Sequence, residues 1–406
     1  MTDSQADRRS PLRSPWAVPI VVAVAVTASL AAQPLLAAGE SNDLPDISAE
    51  ELVARVLEAD PQPMSGTVVH TARLGLPDLL FTEATGADPM SLLGGSSTLK
   101  VWTDGEQRSR VALLGAVSEY SVVADGADLW TYSSSDDEAV HYSVSDADRA
   151  RLEAMSEEAR AEALARKAEL PTPQEAAAEA LAKADESSTI SVDSQMIIAG
   201  RDVYQLVVTP DTDATLVERV VVAVDGETMT PLRVQTWSTQ DQSAPAVEIS
   251  FTDVSFQMPN ESVFEFSPPA GATEREVVVP LPEQDGAMPS HEGTHHQKPT
   301  VTGSGWESVV ELQGMDLTKL LAADPGAMSG MPDRLVGSDE AQELMDEFTP
   351  DHSGGMGLDN AALFEQLTTE VPEGRLLSST LLSILMTDDG RVLVGAVPAE
   401  TLRAMA

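Results

Sequence analysis

The sequence contains no cysteine. That rules out disulfides, thiolate nucleophiles, Cys-ligated zinc and an acylated lipobox cysteine, so the chain is not itself a lipoprotein of the bacterial type. Basic residues are scarce: 24 Lys and Arg stand against 66 Asp and Glu, a formal net charge of −42. Such a chain repels nucleic acid and the anionic face of a membrane at long range, and nucleic acid is not expected as a partner. The G-x-S-x-G elbow, the P-loop and the dinucleotide fingerprint are also missing, and with them the usual short motifs of hydrolases, nucleotide triphosphatases and dehydrogenases. Asp and Glu are too abundant for any catalytic pair to stand out. No catalytic residue and no cofactor is assigned, and the chain is not expected to be an enzyme.

One string resembles a metal motif. His291-Glu292-Gly293-Thr294-His295 has the H-E-x-x-H spacing in which two His one helical turn apart bind zinc and the Glu acts as base. That chemistry needs a helix, yet Gly293 sits between the ligands and Pro289 and Pro299 bracket the segment. A zinc metallohydrolase is therefore a remote alternative, and no metal ligand is assigned. His70, His141 and His352 are isolated.

At the N-terminus, Arg8, Arg9 and Arg13 precede an apolar run over residues 16–38. Residues 1–39 read as a signal peptide or a membrane anchor, with Ser29-Leu30-Ala31 an acceptable cleavage site. Either way the positive charges stay on the cytoplasmic side, and everything after about Leu44 lies outside, secreted or anchored to the outer face of the cytoplasmic membrane. A twin-arginine signal would want an apolar side chain where Pro11 stands.

The rest is organised around residues 99–144, which alternate strand and turn. Asp104-Gly105 and Asp125-Gly126 separate alternating apolar runs, a hairpin signal because a type I′ turn needs positive φ at both central residues. The pattern returns around Ala199-Gly200 and Asp225-Gly226, so the whole predicts an antiparallel meander. Before it, Ser48-Ala49-Glu50-Glu51 is a capping box opening a helix with Leu52, Val53, Val56 and Leu57 on one face, ended by Pro61 and Pro63. Between residues 146 and 185 the period becomes helical, 149–169 and 174–184, and splits the strands into two groups. Residues 274–305 are dense in Pro, Gly, Glu and His and read as a linker. After it, 306–312 looks like a strand, 375–386 and 391–397 form a hairpin around Asp388-Asp389-Gly390, and a short helix starts at Ala399.

Several strands are apolar on both faces. Trp102, Trp130, Tyr132, Leu206, Val222 and Trp237 fall on alternate positions, with neighbours such as Val101, Leu129, Val207 and Val221 between them. A sheet covered on one side only would leave its second face polar. Two apolar faces suggest a curled sheet with a hydrophobic cavity, and those six residues are the expected ligand wall.

The order of parts resembles a known group. A capped helix after an export signal, a meander, an inserted helical pair and a second set of strands resembles the LolA-like lipoprotein carriers and the MucB/RseB N-terminal domain. The strings Glu119-Tyr120-Ser121-Val122-Val123-Ala124-Asp125-Gly126 and Val222-Ala223-Val224-Asp225-Gly226-Glu227 are similar to actinobacterial members, and the likeness covers about residues 44–271. The resemblance implies an α+β fold, an unclosed antiparallel β-barrel, or half-barrel meander, with a helical lid over 40–272; the sequence pattern adds a linker at 273–305 and a small C-terminal α+β region at 306–406. It implies an extracytoplasmic, monomeric protein that shields the acyl chains of a lipid or acylated lipoprotein. The long C-terminal part looks more like MucB/RseB proteins, which sense envelope stress by binding a membrane-bound regulator.

Overall fold

The computed structural model describes residues 44–76, 87–145, 148–150, 184, 186–278, 300–313 and 365–406. The expected inserted helices over 149–169 and 174–184, the H-E-x-x-H string and the run over 16–38 lie almost wholly outside these residues, Arg149, Ala150 and Ala184 being the exceptions.

Helix α1 (Ala49–Glu58) starts where the capping box places it, with the Ser48 hydroxyl oxygen accepting the Glu51 N–H at 3.1 Å. Glu50 and Glu51 in the first turn suit the helix dipole. Leu52 is fully buried, whereas Leu57, expected on the same face, is 54% exposed.

Twelve strands form one sheet: β1 (Met64–Ala72), β2 (Gly95–Thr103), β3 (Arg108–Leu114), β4 (Glu119–Asp125), β5 (Asp128–Ser133), β6 (Glu138–Ser143), β7 (Ser188–Ile198), β8 (Arg201–Pro210), β9 (Val217–Asp225), β10 (Pro231–Ser238), β11 (Val247–Ser255) and β12 (Thr273–Val278). Their order is β12-β6-β5-β4-β3-β2-β1-β11-β10-β9-β8-β7. The two end strands do not pair with each other, so the sheet is an unclosed half-barrel. Two local meanders, β1 to β6 and β7 to β11, meet at the β1–β11 seam, where a bulge falls between Thr67 and Val68.

Two sequence expectations change. Residues 273–278, expected to begin the linker, instead add β12 parallel to β6, because the chain after β11 crosses the sheet and arrives running in the same direction. At Asp125-Gly126 only Gly126 has positive φ, 59°, so the two-residue loop is not type I′. The type II′ turn needs positive φ only at its first central residue, which Gly supplies without strain. Ala199-Gly200, at 51° and 76°, is the pair with both φ positive.

A second, six-stranded sheet comprises β13 (Thr300–Thr302), β14 (Val309–Gln313), β15 (Thr369–Val371), β16 (Gly374–Ser378), β17 (Ser383–Thr387) and β18 (Arg391–Gly395), in the order β13-β14-β18-β17-β16-β15. Helix α2 (Ala399–Met405) lays Leu402 on its core of Leu376, Leu385, Leu393 and Val397. The strand expected over 375–386 is two strands, because Ser379 to Leu382 turn the chain: the Ser379 N–H donates to the Leu382 carbonyl. Trp306 lies in a short 3-10 helix before β14 rather than in a strand.

This second unit is docked on the first. Trp306, Leu381 and Ala396 pack against Val217, Val220, Val234 and Ile249. The Trp306 indole N–H donates to the Ser188 hydroxyl at 2.7 Å, and the Ser238 hydroxyl donates to the Thr380 carbonyl at 2.6 Å.

Candidate ligand-binding face

Strand register sorts the side chains onto two faces, because successive residues alternate and directly paired residues share a side. One face carries Tyr204, Leu206, Val222 and Val224, and α1 packs on it through Leu52. Following the pairs Val222↔Val234↔Ile249↔His70↔Ser97 across the seam, this helix face includes Leu99, Val101, Val111 and Val122. The other face carries Trp102, Arg110, Val123, Trp130 and His141 in one directly paired row, with Tyr132 two residues from Trp130. Trp237 belongs there too, through Thr71↔Glu248↔Gln235.

The six expected wall residues therefore divide. Leu206 and Val222 lie on the helix face under α1. Trp102, Trp130, Tyr132 and Trp237 share the opposite face. The parity of the three aromatic residues on β2 and β5 is as the sequence indicates, but the bulge on β11 shifts the odd–even pattern, so even positions of β8 and β9 look the other way.

The aromatic face is covered. Residues 256–272 cross it as a strap between β11 and β12, and Phe264 in this strap is 3% exposed. Phe266 lies 5.3 Å from the Trp130 ring and 5.9 Å from Tyr132. The Arg108 guanidinium sits 5.1 Å over Phe264, and Trp130 stacks on His141 at 4.2 Å. Beside them Asp128 accepts from both guanidinium nitrogens of Arg149 at 2.9 and 3.1 Å and lies 3.2 Å from His141 Nε2. Arg149 holds the Asp128 carboxyl below the usual carboxylate range, burial opposing and His141 adding to the effect. Trp237 carries the Arg219 guanidinium 4.1 Å above its ring, a cation–π contact.

The helix face over β2 to β6 is different. The row Gly66, Val101, Val111, Val122, Thr131 and Val140 runs straight across six strands, flanked by Tyr120, Leu129 and Tyr142. Val101, Val111, Val122, Leu129, Tyr120 and Tyr142 are each only half-buried. On one side the row joins the main core, where Val68, Leu99, Leu113 and Phe251 are closed. At Gly66 a Cβ would fall 2.5 Å from the Asp253 carbonyl oxygen and 2.8 Å from the Phe251 ring, so the seam closes there only around glycine. Aliphatic side chains in a continuous half-buried row offer apolar area with no fixed polar demand, which suits an acyl chain.

His70 lies on this face between Ser97 and Ile249, 7% exposed, with no partner for Nδ1 among the described residues. Burial pushes its pKa below the ordinary value. The folded state thus prefers neutral His70, so its contribution to stability is full above the unfolded pKa of about 6.5 and is lost as pH falls through the folded pKa. Denaturant titrations should show unfolding free energy decreasing from pH 7 to pH 5, and His70→Gln should flatten that slope. An unchanged slope in the variant would remove His70 as its source.

Among the described residues, no group of three or more His, Cys, Asp or Glu could hold a metal ion. Among the described residues, no helix is long and apolar enough to cross a membrane. The strap was missed from sequence: Phe264-Glu265-Phe266 before Pro268-Pro269 is its only local signal.

No protein-family model matches the sequence, and no curated protein matches it.

Solved structures with a similar arrangement include the complex of MucA and MucB from Pseudomonas aeruginosa, at 17% identity over 88% of this chain and 96% of that one, TM-score 0.38. A LolA superfamily protein from Nitrosomonas europaea matches 54% of this chain and 99% of its own at 12% identity, TM-score 0.20. A putative outer membrane lipoprotein-sorting protein domain from Vibrio parahaemolyticus matches 53% and 95% at 14% identity, TM-score 0.21. Both groups named from the sequence are present among them.

Proposed function

We propose that the protein is an extracytoplasmic, monomeric binding module, without catalytic activity, that shields the acyl chains of a lipid or acylated lipoprotein against the helix face of its half-barrel. The half-buried apolar row from Val101 to Leu129 supports this reading. Each acyl CH₂ buried there contributes about 0.8 kcal/mol, so a long chain binds without specific polar recognition. Leu206 and Val222 extend the same face beneath α1. The six aromatic and aliphatic residues do not act as one wall in this proposal.

The test uses a fluorescent fatty acid and an acylated peptide on the full chain, with native mass spectrometry for co-purified lipid. Val122→Glu should weaken binding about tenfold or more, equivalent to roughly 1.4 kcal/mol, while cooperative unfolding is retained. Trp130→Ala, on the strapped face, should leave binding within twofold or so of wild type, since it touches Phe266 and His141 instead. Absence of bound lipid together with no binding of either probe would sink the proposal.

A second reading, a stress sensor binding a membrane-bound regulator, is favoured by one observation. The C-terminal unit is seated on β9 to β11 through Trp306, Leu381 and Ala396, an arrangement a simple shuttle does not need. Crosslinking of the intact chain at its site of action separates the two: recovery of acylated proteins alone supports the carrier, recovery of a membrane regulator the sensor. Deleting residues 306–406 would be a poor test, because it strips cover from Val220, Val234 and Ile249.

A further inference from the structure

We infer that the end of the large sheet formed by the β7–β8 turn and the start of the strap docks on the surface of a zwitterionic lipid bilayer. The inference rests on the reading of residues 16–38 as a retained anchor, and deepens the proposed function by orienting the half-barrel on its membrane.

The contacts of Leu44 carry the argument. The Leu44 carbonyl accepts from the Gln195 side-chain amide at 2.7 Å, and a Cβ on Gly226 would fall 2.4 Å from Leu44 Cδ2. Leu44 is thus fixed between the β7 bulge and the β9–β10 turn. Six residue steps separate Ala38, the end of the apolar run, from Leu44. At no more than about 3.6 Å per residue they span about 20 Å, so a retained anchor keeps this end of the sheet beside the bilayer.

The same end exposes large apolar side chains. Ile197, two residues from Gln195, is 39% exposed and Met258 is 60% exposed. The segments that carry them meet, because Arg201, paired with Ile198 across the β7–β8 turn, sits 5.2 Å over the ring of Phe256 at the start of the strap. Leu57 on the last turn of α1 is 54% exposed. Single exposed apolar residues need no explanation, but these lie at the end of the sheet where Leu44 is held. A short tether raises the effective concentration of the surface to the millimolar range, so modest burial of two or three side chains suffices for docking.

Charge selects the lipid. Glu58, Asp60 and Glu227 line the adjoining cleft of about 450 Å³, and its cation, Arg55, is paired with Glu51. With a net charge of −42 in the whole chain, anionic headgroups are repelled and uncharged or zwitterionic ones are not.

The absence of cysteine makes the test clean. Ile197→Cys, Met258→Cys and, at the opposite end of the strands, Val117→Cys, itself 96% exposed, each accept one environment-sensitive fluorophore. The full chain is reconstituted with phosphatidylcholine vesicles carrying a spin-labelled quencher in the acyl region. Labels at 197 and 258 should shift to the blue and be quenched, as expected for side chains at the headgroup boundary, about 5–10 Å deep. The label at 117 should remain in water. Replacing part of the phosphatidylcholine with phosphatidylglycerol should reduce the quenching at 197 and 258, and an increase would overturn the charge selection. A chain that floats with the vesicles but shows equal quenching at all three positions overturns the docking and leaves the anchor standing. A chain that does not float removes the anchor, and the docking with it.

Discussion

Asp225→Ala is expected to destabilise the protein by about 3 to 5 kcal/mol, the range for breaking a buried ion pair on one side. Asp225 is 1% exposed and accepts from Arg201 Nε and Nη2 at 2.7 and 2.8 Å, from the Thr228 N–H at 2.7 Å and from the Thr228 hydroxyl at 2.9 Å. Burial alone would raise its pKa, but the bonds from Arg201 and Thr228 outweigh it and hold the carboxyl below its usual value. Its removal leaves the Thr228 donors of the β9–β10 turn without their acceptor and leaves Arg201 with Glu227 alone, over the ring of Phe256. Asp225→Asn should cost less, since the amide oxygen still accepts. Equilibrium denaturation at pH 7 measures both, and a loss below 1 kcal/mol or so in the alanine variant would show that water replaces the carboxylate. The depressed pKa also gives a sign: this stabilisation is present above about pH 4 and is lost as pH falls through the folded pKa.

Phe264→Ala should be comparable, about 3 to 5 kcal/mol, the usual cost of deleting an aromatic ring from a closed site. Phe264 holds the strap on the sheet beneath Arg108, while Phe266 beside it covers Trp130 and Tyr132. Its loss should release the strap and, with it, the parallel strand β12 from β6. Hydrogen exchange would register the release as lost protection of the amides in residues 273–278, together with a change in Trp130 fluorescence. Acyl binding on the opposite face should persist. Unchanged protection of β12 would mean that strand pairing alone keeps it in place.

Much of the sheet is legible in the sequence because turn chemistry and alternation are local. The strand pairs expected around Asp104-Gly105, Asp125-Gly126, Ala199-Gly200 and Asp225-Gly226 are the observed β2–β3, β4–β5, β7–β8 and β9–β10. Ser48 and Glu51 are enough to place α1. What the sequence hides is long-range. A bulge on β11 inverts parity between the two meanders, so Trp102 and Leu206 look alike in the sequence and face opposite sides. The β12–β6 pairing depends on a crossing that no local pattern encodes, and the charged Thr273-Glu274-Arg275-Glu276 reads as linker. The half-buried row of Val101, Val111 and Val122 is ordinary strand sequence, and only the cover on its other side distinguishes it.

The β1–β11 seam also bears on how the chain folds. Each meander is built from neighbouring hairpins, which form within microseconds, but β1 waits for a strand from the far end of the domain, Val69 meeting Ser250. Until that strand arrives, β1 presents an open edge with Val68 and Val69 on it, the kind of edge that recruits foreign strands. Closure of the seam is then the slow, late step. Substitutions there, such as Gly66→Ala, should slow refolding, whereas changes within the β3–β4 hairpin should chiefly speed unfolding.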